Sequence, residues 1–263
     1  MTQAQNTVSV QGLSLSYGPR KVLDDITFDV GRDELVCIVG PSGVGKTSML
    51  RCLAGLQTPT HGAVTFTGAE HEAGHIGLVF QDYAQSLLPW TTLLENVALP
   101  LRGKVLRAER HRRASAALAQ VGLGGQDQLK PWQLSGGMQQ RVAIARAMVG
   151  EPDVLLMDEP FASVDAQTRA DLEDLTLKVR AETGKSVILI THDIDEAVYL
   201  ADRVIVLLGR PAKGVPAHLA HDIRVNLGRD RDQISTRSAP EFVRLRTEVH
   251  KIIMDQSVPM VGA

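Results

Sequence analysis

The sequence predicts an α/β fold with a mostly parallel sheet and a mostly helical insertion in mid-chain. Three observations predict it. Continuous apolar runs at Leu35–Val39, Val154–Met157 and Val187–Ile190 read as strands buried on both faces. Helical periodicity follows the first run at Lys46–Leu56 and separates the other two at about residues 166–182. That is the strand–helix–strand order of a parallel sheet. From about residue 82 to 150 the pattern is helical instead.

Taken in order, Val8–Val10, Leu13–Leu15 and Ile26–Val30 read as short strands, with Gly18-Pro19 and Gly31 as breakers. Ala63–Phe66 and Ile76–Phe80 read as two more. Thr92-Leu93-Leu94-Glu95 is a capping box that opens a helix. Arg107–Val121 is amphipathic and ends at Gly122 and Gly124. Gly137–Val149 places Met138, Val142, Ala145 and Val149 on one face. Val204–Leu208 is a late strand. Residues 209–263 are polar and Pro-rich, then helical around Glu241–Ile253.

Composition bounds the function. The chain has 263 residues, 44% apolar and 22% charged, ordinary for a globular protein. A net charge of −2 supplies no basic field for nucleic acid. Cys37 and Cys52 sit among apolar residues without a CxxC partner, so burial is expected and a disulfide framework is not; a reducing cytosol fits. The N-terminus lacks the features of a signal peptide. No apolar run approaches the ~20 residues of a membrane span, so any membrane work needs spans from another chain.

Gly40-Pro41-Ser42-Gly43-Val44-Gly45-Lys46-Thr47 matches GxxxxGK[ST], after a buried strand and before a helix. Its glycines let successive N–H groups point at phosphate oxygens, and the next helix presents its positive end. Lys46 adds a charge for the β- and γ-phosphates of ATP, and the Thr47 hydroxyl can ligate Mg²⁺, with Ser48 beside it. This is a P-loop NTPase core. The strand Val154–Met157 ends in Asp158-Glu159. Asp158 suits a role at Mg²⁺, and Glu159 suits the general base that polarises the attacking water.

Leu134-Ser135-Gly136-Gly137-Met138-Gln139-Gln140-Arg141 resembles the signature motif of ABC ATPases without a mismatch. Physically it is a second anion site, made of a Ser hydroxyl, Gly N–H groups and a helix start. The resemblance implies an antiparallel β subdomain and an inserted helical subdomain on the core. It divides the chain into 1–81, 82–150, 151–208 and a C-terminal tail at 209–263. It also implies a homodimer in which Ser135, Gly136 and Gly137 complete the ATP site of the facing subunit. Tyr17 looks like the aromatic that stacks on adenine, and Gln81 like the glutamine that senses Mg²⁺ and water. Asp165, in Ser163-Val164-Asp165, looks like the loop that crosses the dimer interface; Val164 stands where the family usually has Leu. His192 looks like the switch histidine at the γ-phosphate. With Glu159, Gln81 and Lys46 it makes up the expected catalytic set.

The stretch from Gln81 through Leu88-Pro89-Trp90 to Val97 resembles the nitrate/sulfonate/taurine branch of ABC importers. So does the tail at Gly209-Arg210-Pro211, His221–Val225 and Pro240-Glu241-Phe242. The branch implies a peripheral ATPase on the cytoplasmic face of the membrane, bound to integral permease subunits. An extracytoplasmic solute-binding protein would be an indirect partner, with no nucleic acid. The alternatives are another importer branch, an exporter, or a non-transport ABC ATPase acting on nucleic acid or the ribosome. Leu87, Leu88 and Trp90 form an apolar cluster with two readings: a groove for a permease helix, or Trp90 packed inside the helical subdomain. His71 and His75, and His218 and His221, have spacings that invite a metal, but Gly74 and the lack of a third ligand favour solvated turns. The basic run Arg102–Arg113 reads as a solvated helix face.

Overall fold

The structure, a computed structural model, describes residues 6–66, 76–82 and 86–255. The pair His71 and His75 lies outside the described residues. Two units are distinguished: Met1–Gly68 with Ile188–Ala263, and Ala69–Val187.

In the first unit, β1 (Asn6–Tyr17) and β2 (Arg20–Gly31) form an antiparallel hairpin turned at Gly18 and Pro19. The short runs Val8–Val10 and Leu13–Leu15 belong to one strand. A bulge between Val10 and Leu13, with Gly12 at φ +58°, shifts the alternation so that both runs face the core. β4 (His61–Phe66) adds to β1, also antiparallel. β3 (Leu35–Val39) is buried at every residue and pairs in parallel with β8 (Arg203–Arg210). β9 (Val215–Arg224) lies antiparallel to β8 and meets β2 in parallel at Leu23 and Ala217. The order is β4-β1-β2-β9-β8-β3, with Ile188–Ile190 of β7 (Ser186–Ile190) next to β3. α1 (Lys46–Leu53) buries Met49, Leu50, Cys52 and Leu53.

The tail is more ordered than its polar composition predicts, for residues 215–224 are a strand. Ala217 is the residue of β9 with no exposure, so no apolar alternation announces it. His218 and His221 are exposed on this strand. Among the described residues no cluster suited to a metal ion occurs. Arg203, on β8, ties the tail to the core by ion pairs to Glu34 at 3.0 Å and Asp222 at 2.6 Å. Arg231 donates to the carbonyls of Tyr199 and Ala201, at the C-terminal end of α6 (Ile194–Leu200), where a cation is favoured. α7 (Pro240–Asp255) buries Phe242, Leu245 and Val249 along one face, and Arg237 stacks over the Tyr199 ring at 4.7 Å.

In the second unit β5 (Ile76–Val79) and β6 (Val154–Asp158) are parallel, in register from Ile76 opposite Val154 to Val79 opposite Met157. Among the described residues the α-helices α2 (Leu93–Ala98), α3 (Arg107–Gln120), α4 (Gly136–Met148) and α5 (Ala166–Thr183) accompany them. The Thr92 hydroxyl accepts Glu95 N–H, as the capping box predicts, and Gly122 at φ +77° follows α3. On the basic face of α3, Arg112 and Arg113 pair with Glu109. His111 sits 2.9 Å from Glu95. Parallel and antiparallel strands and the helical segment at 86–150 give the expected P-loop α/β architecture. Cys37 and Cys52 are buried and not disulfide-bonded, and burial pushes the Cys52 thiol up. Among the described residues no helix is long and apolar enough to cross a membrane.

Candidate functional site

In the first unit the chain leaves β3 at Val39 and turns through Gly40–Gly45 into α1. Gly45 is the N-cap at φ +118°, so no side chain caps the helix and its first turn carries no acidic residue. Those N–H groups are the donors that a phosphate would satisfy. Two glycines are sterically required. A Cβ on Gly40 would lie 2.4 Å from the Leu207 carbonyl oxygen, and one on Gly45 would lie 2.9 Å from a Leu23 methyl. Val44 is buried and anchors the loop, whereas Ser42 and Gly43 are exposed at its rim.

Lys46 is 6% exposed, and its Nζ donates to the carbonyls of Gly40 at 2.9 Å and Pro41 at 3.3 Å. A buried ammonium needs such acceptors. Its charge therefore lies inside the curl of the loop, which fits a polyphosphate. Thr47 and Ser48 are half-buried in the first turn of α1. Tyr17 ends β1 and is 45% exposed, as an adenine-stacking ring must be. His192 is exposed in the turn from β7 to α6, and Thr191 N–H beside it donates to the Ile38 carbonyl of β3 at 3.2 Å.

In the second unit Asp158 closes β6 and is 6% exposed, and Glu159 follows it. Glu159 has φ +43°, a left-handed conformation uncommon for a side chain of its size and typical of functional turns. The Gln81 amide, two residues past β5, donates to Glu159 Oε2 at 3.3 Å. The two residues expected at the attacking water are thus brought together.

The signature motif opens α4. Ser135 is the N-cap, and its Oγ accepts Met138 N–H at 3.4 Å; its hydroxyl hydrogen can donate to an anion. Gly136 is exposed, but Gly137 is buried. A Cβ on Gly137 would lie 2.2 Å from Thr168 Cγ2 on α5. Thr168 in turn binds Asp165, with N–H to Oδ1 at 3.0 Å and Oγ1–H to Oδ2 at 2.7 Å. These bonds hold the Asp165 carboxyl below the usual carboxylate range. The signature helix and the Asp165 loop are therefore in contact through Thr168.

The cluster Leu87, Leu88 and Trp90 is split. Leu87 is buried, Leu88 is half-buried and Trp90 is 71% exposed, so Trp90 is not packed inside the helical segment. Buried Asn96 holds the turn beneath it, accepting Leu88 N–H at 2.7 Å and donating to the Leu88 and Thr92 carbonyls. Arg146 holds the start of the loop through the Ser86 carbonyl and hydroxyl, each at 2.6 Å. A cavity of about 520 Å³ opens nearby, with Phe80, Leu99, Lys104 and Arg146 in its wall.

Three of these residues, and one backbone conformation, escape sequence reasoning. Thr168 carries a weak signal, three residues after a capping Asp. Asn96 shows only as a poor helix former between apolar neighbours. Arg146 and the Glu159 backbone show none.

The chain as a whole is similar to known proteins. The ABC transporter family model matches residues 23–162. A taurine import ATP-binding protein of Pseudomonas savastanoi pv. phaseolicola is 43% identical, over 89% of this chain and 90% of that protein. An aliphatic sulfonates import ATP-binding protein of Burkholderia cenocepacia is 42% identical, over 87% of this chain and 82% of its own. Among solved structures, a dimeric post-hydrolysis ATP-binding cassette bound to ADP and Pi is 33% identical. It superposes with a TM-score of 0.68, over 83% of this chain and 99% of that one. The phosphate loop, the Asp158-Glu159 strand end and the Ser135-Gly136-Gly137 helix start thus belong to a chain that is a member of the ABC transporter family and an ATP-binding, ATP-hydrolysing subunit of it.

Proposed function

We propose that this chain is the peripheral, cytoplasmic-face ATPase of an importer for a small sulfonate-like nutrient, working as a homodimer against separate permease subunits. The names of its relatives support the substrate class, and the dimeric cassette supports the assembly. An extracytoplasmic solute-binding protein would deliver the nutrient, so this chain would not touch it. Functionally we divide the chain into nucleotide-binding parts at 1–81 and 151–208, a signature-bearing helical part at 82–150 and the tail at 209–263.

In this reading the loop Gly40–Ser48, through its backbone N–H groups other than at Pro41, and the Lys46 ammonium bind the β- and γ-phosphates, and Tyr17 stacks on the adenine. Ser135, Gly136 and Gly137 of a second copy close over the γ-phosphate, with Asp165 crossing the interface. Glu159 takes a proton from water as the water oxygen bonds to the γ-phosphorus and the bond to ADP breaks. Gln81 orients that carboxylate, and His192 contacts the γ-phosphate. Thr47, Gln81 and Asp158 are the residues that would hold Mg²⁺; it would supply positive charge to the phosphates. Loss of the γ-phosphate removes the contacts of Ser135, Gly136, Gly137 and His192, so the dimer opens.

The observation that carries this proposal is the Gln81–Glu159 hydrogen bond. Gln81 precedes in sequence the segment that Arg146 pins at Ser86 and Asn96 pins at Leu88, from which Trp90 projects. An exposed apolar group on a braced loop suits a protein partner. Such a partner, by shifting the loop, would move Gln81 on Glu159 and so gate hydrolysis.

The test is ATP-driven uptake of taurine and alkanesulfonates by proteoliposomes containing permease and this chain. Uptake should require hydrolysis. Glu159→Gln should abolish turnover while ATP holds two copies together on size exclusion. An absence of ATP consumption with permease present would refute the proposal.

A further inference from the structure

Exposed His192 sits between two residues, Thr191 and Asp193, that are bonded to each other and each to Glu196. The Thr191 hydroxyl donates to Glu196 Oε2 at 2.6 Å. The same hydroxyl oxygen accepts Asp193 N–H at 3.0 Å, and Asp193 Oδ1 accepts Glu196 N–H at 3.1 Å. The three bonds close a ring around the His192 backbone. From the other side, Thr191 N–H donates to the Ile38 carbonyl at 3.2 Å, two residues before the phosphate loop begins at Gly40. The chain on both sides of His192 is therefore referenced to the loop.

Burial shows that the ring is more than a local turn. Thr191 is 1% exposed and Glu196 is 5% exposed. Removing a carboxylate from water is costly, and an apolar side chain in the first turn of α6 would avoid that cost. The short bond fixes the Thr191 rotamer so that its oxygen faces Asp193 N–H. His192 itself opens onto a cavity of about 560 Å³ bounded by Asp195, Arg246 and His250. The turn beneath it sets where the ring meets that space.

We propose that Glu196 is a positioning residue for His192, acting through the Thr191 hydroxyl. It keeps the imidazole at a fixed offset from the phosphate loop without touching the nucleotide. This rests on the reading of His192 as the γ-phosphate contact.

The test compares steady-state ATP hydrolysis by the full chain for Thr191→Val, Thr191→Ser, His192→Ala and the Thr191→Val/His192→Ala double variant. Thr191→Val keeps the side-chain shape and removes the hydroxyl. It should lower kcat about 10- to 100-fold, since a misplacement of about 1 Å costs that much, with KM for ATP within about two-fold. Thr191→Ser should restore most of the rate. On the His192→Ala background, Thr191→Val should cost nothing further, because both act through one contact. If Thr191→Val does not fold, Glu196→Gln takes its place, with a kcat loss of several-fold (about 3- to 10-fold) expected at unchanged KM and again none beyond His192→Ala. Full kcat in either variant, or losses that multiply with His192→Ala, would overturn the proposal. Full hydrolysis by His192→Ala would instead remove the assignment of His192 itself, a result distinguishable from the first.

Discussion

Gly137→Ala is the substitution whose outcome the structure fixes most sharply, because two physical effects predict opposite signs. Gly137 lies in the first turn of α4, and helix propensity alone makes Ala better than Gly by up to about 1 kcal/mol. Packing says otherwise. The new methyl would sit 2.2 Å from Thr168 Cγ2, where carbon atoms in contact keep about 3.5–4.0 Å. One of them must move by roughly 1.5 Å. Thr168 cannot turn aside cheaply, since its hydroxyl is bound to Asp165 and its methyl shares the same Cβ. Overpacking of this kind costs about 1–3 kcal/mol, so it outweighs propensity and the variant should be destabilised by ~1–2 kcal/mol. Urea unfolding of the full chain measures this as a lower midpoint at unchanged slope. The double variant Gly137→Ala/Thr168→Ser removes the offending methyl. The next nearest atom, Thr168 Cβ, is at 3.6 Å, an ordinary contact. The midpoint should then recover, and ATP-dependent dimerisation with it, because alanine keeps the N–H at position 137. An unfolding midpoint for Gly137→Ala at or above that of the parent would refute the reasoning. So would a double variant no more stable than the single one.

The other expectations are simpler. Lys46→Ala removes the ammonium that the Gly40 and Pro41 carbonyls hold inside the loop, so ATP affinity should fall by at least ten-fold, roughly the worth of one charge-assisted contact; calorimetric titration showing undiminished affinity would contradict that placement. Trp90→Ala trims a side chain that is 71% exposed, so the unfolding midpoint should stay within about 0.5 kcal/mol of the parent while co-purification with permease subunits drops. Undisturbed co-purification would take Trp90 out of the docking surface.

The buried strands were the most legible part of the chain, for a physical reason. β3, β6 and β7 are covered on both faces, so every residue is buried, all but Asp158 and Ser186 are apolar, and the run announces itself. β9 is different. It sits between β2 and β8 with exposed His218, His221 and Asp222 along it, and its apolar demand is little more than Ala217. One partner, β8, is its sequence neighbour across a short turn, but the other, β2, lies near the opposite end of the sequence, and no local pattern encodes that pairing. The site divides in the same way. The phosphate loop, Asp158-Glu159 and Ser135-Gly136-Gly137 are contiguous and dictated by backbone geometry, so spacing reveals them. Thr168 under Gly137 and Arg146 on Ser86 act through side-chain contacts between segments distant in sequence, and Glu196 beneath Thr191 acts through a local side-chain bond that spacing alone does not reveal. The left-handed backbone at Glu159 carries no composition signal, because a residue chosen for its carboxylate stands where glycine would be easier.

The position of β9 has a practical corollary for anyone shortening this polypeptide. Since the strand is slotted between β2 and β8, cutting the gene after Leu208 would not trim an appendix. It would bare two hydrogen-bonding edges at once, and such edges invite neighbouring molecules to zip on. A tag or fluorescent label is better appended beyond Asp255, where α7 ends, than used to replace the final fifth of the protein.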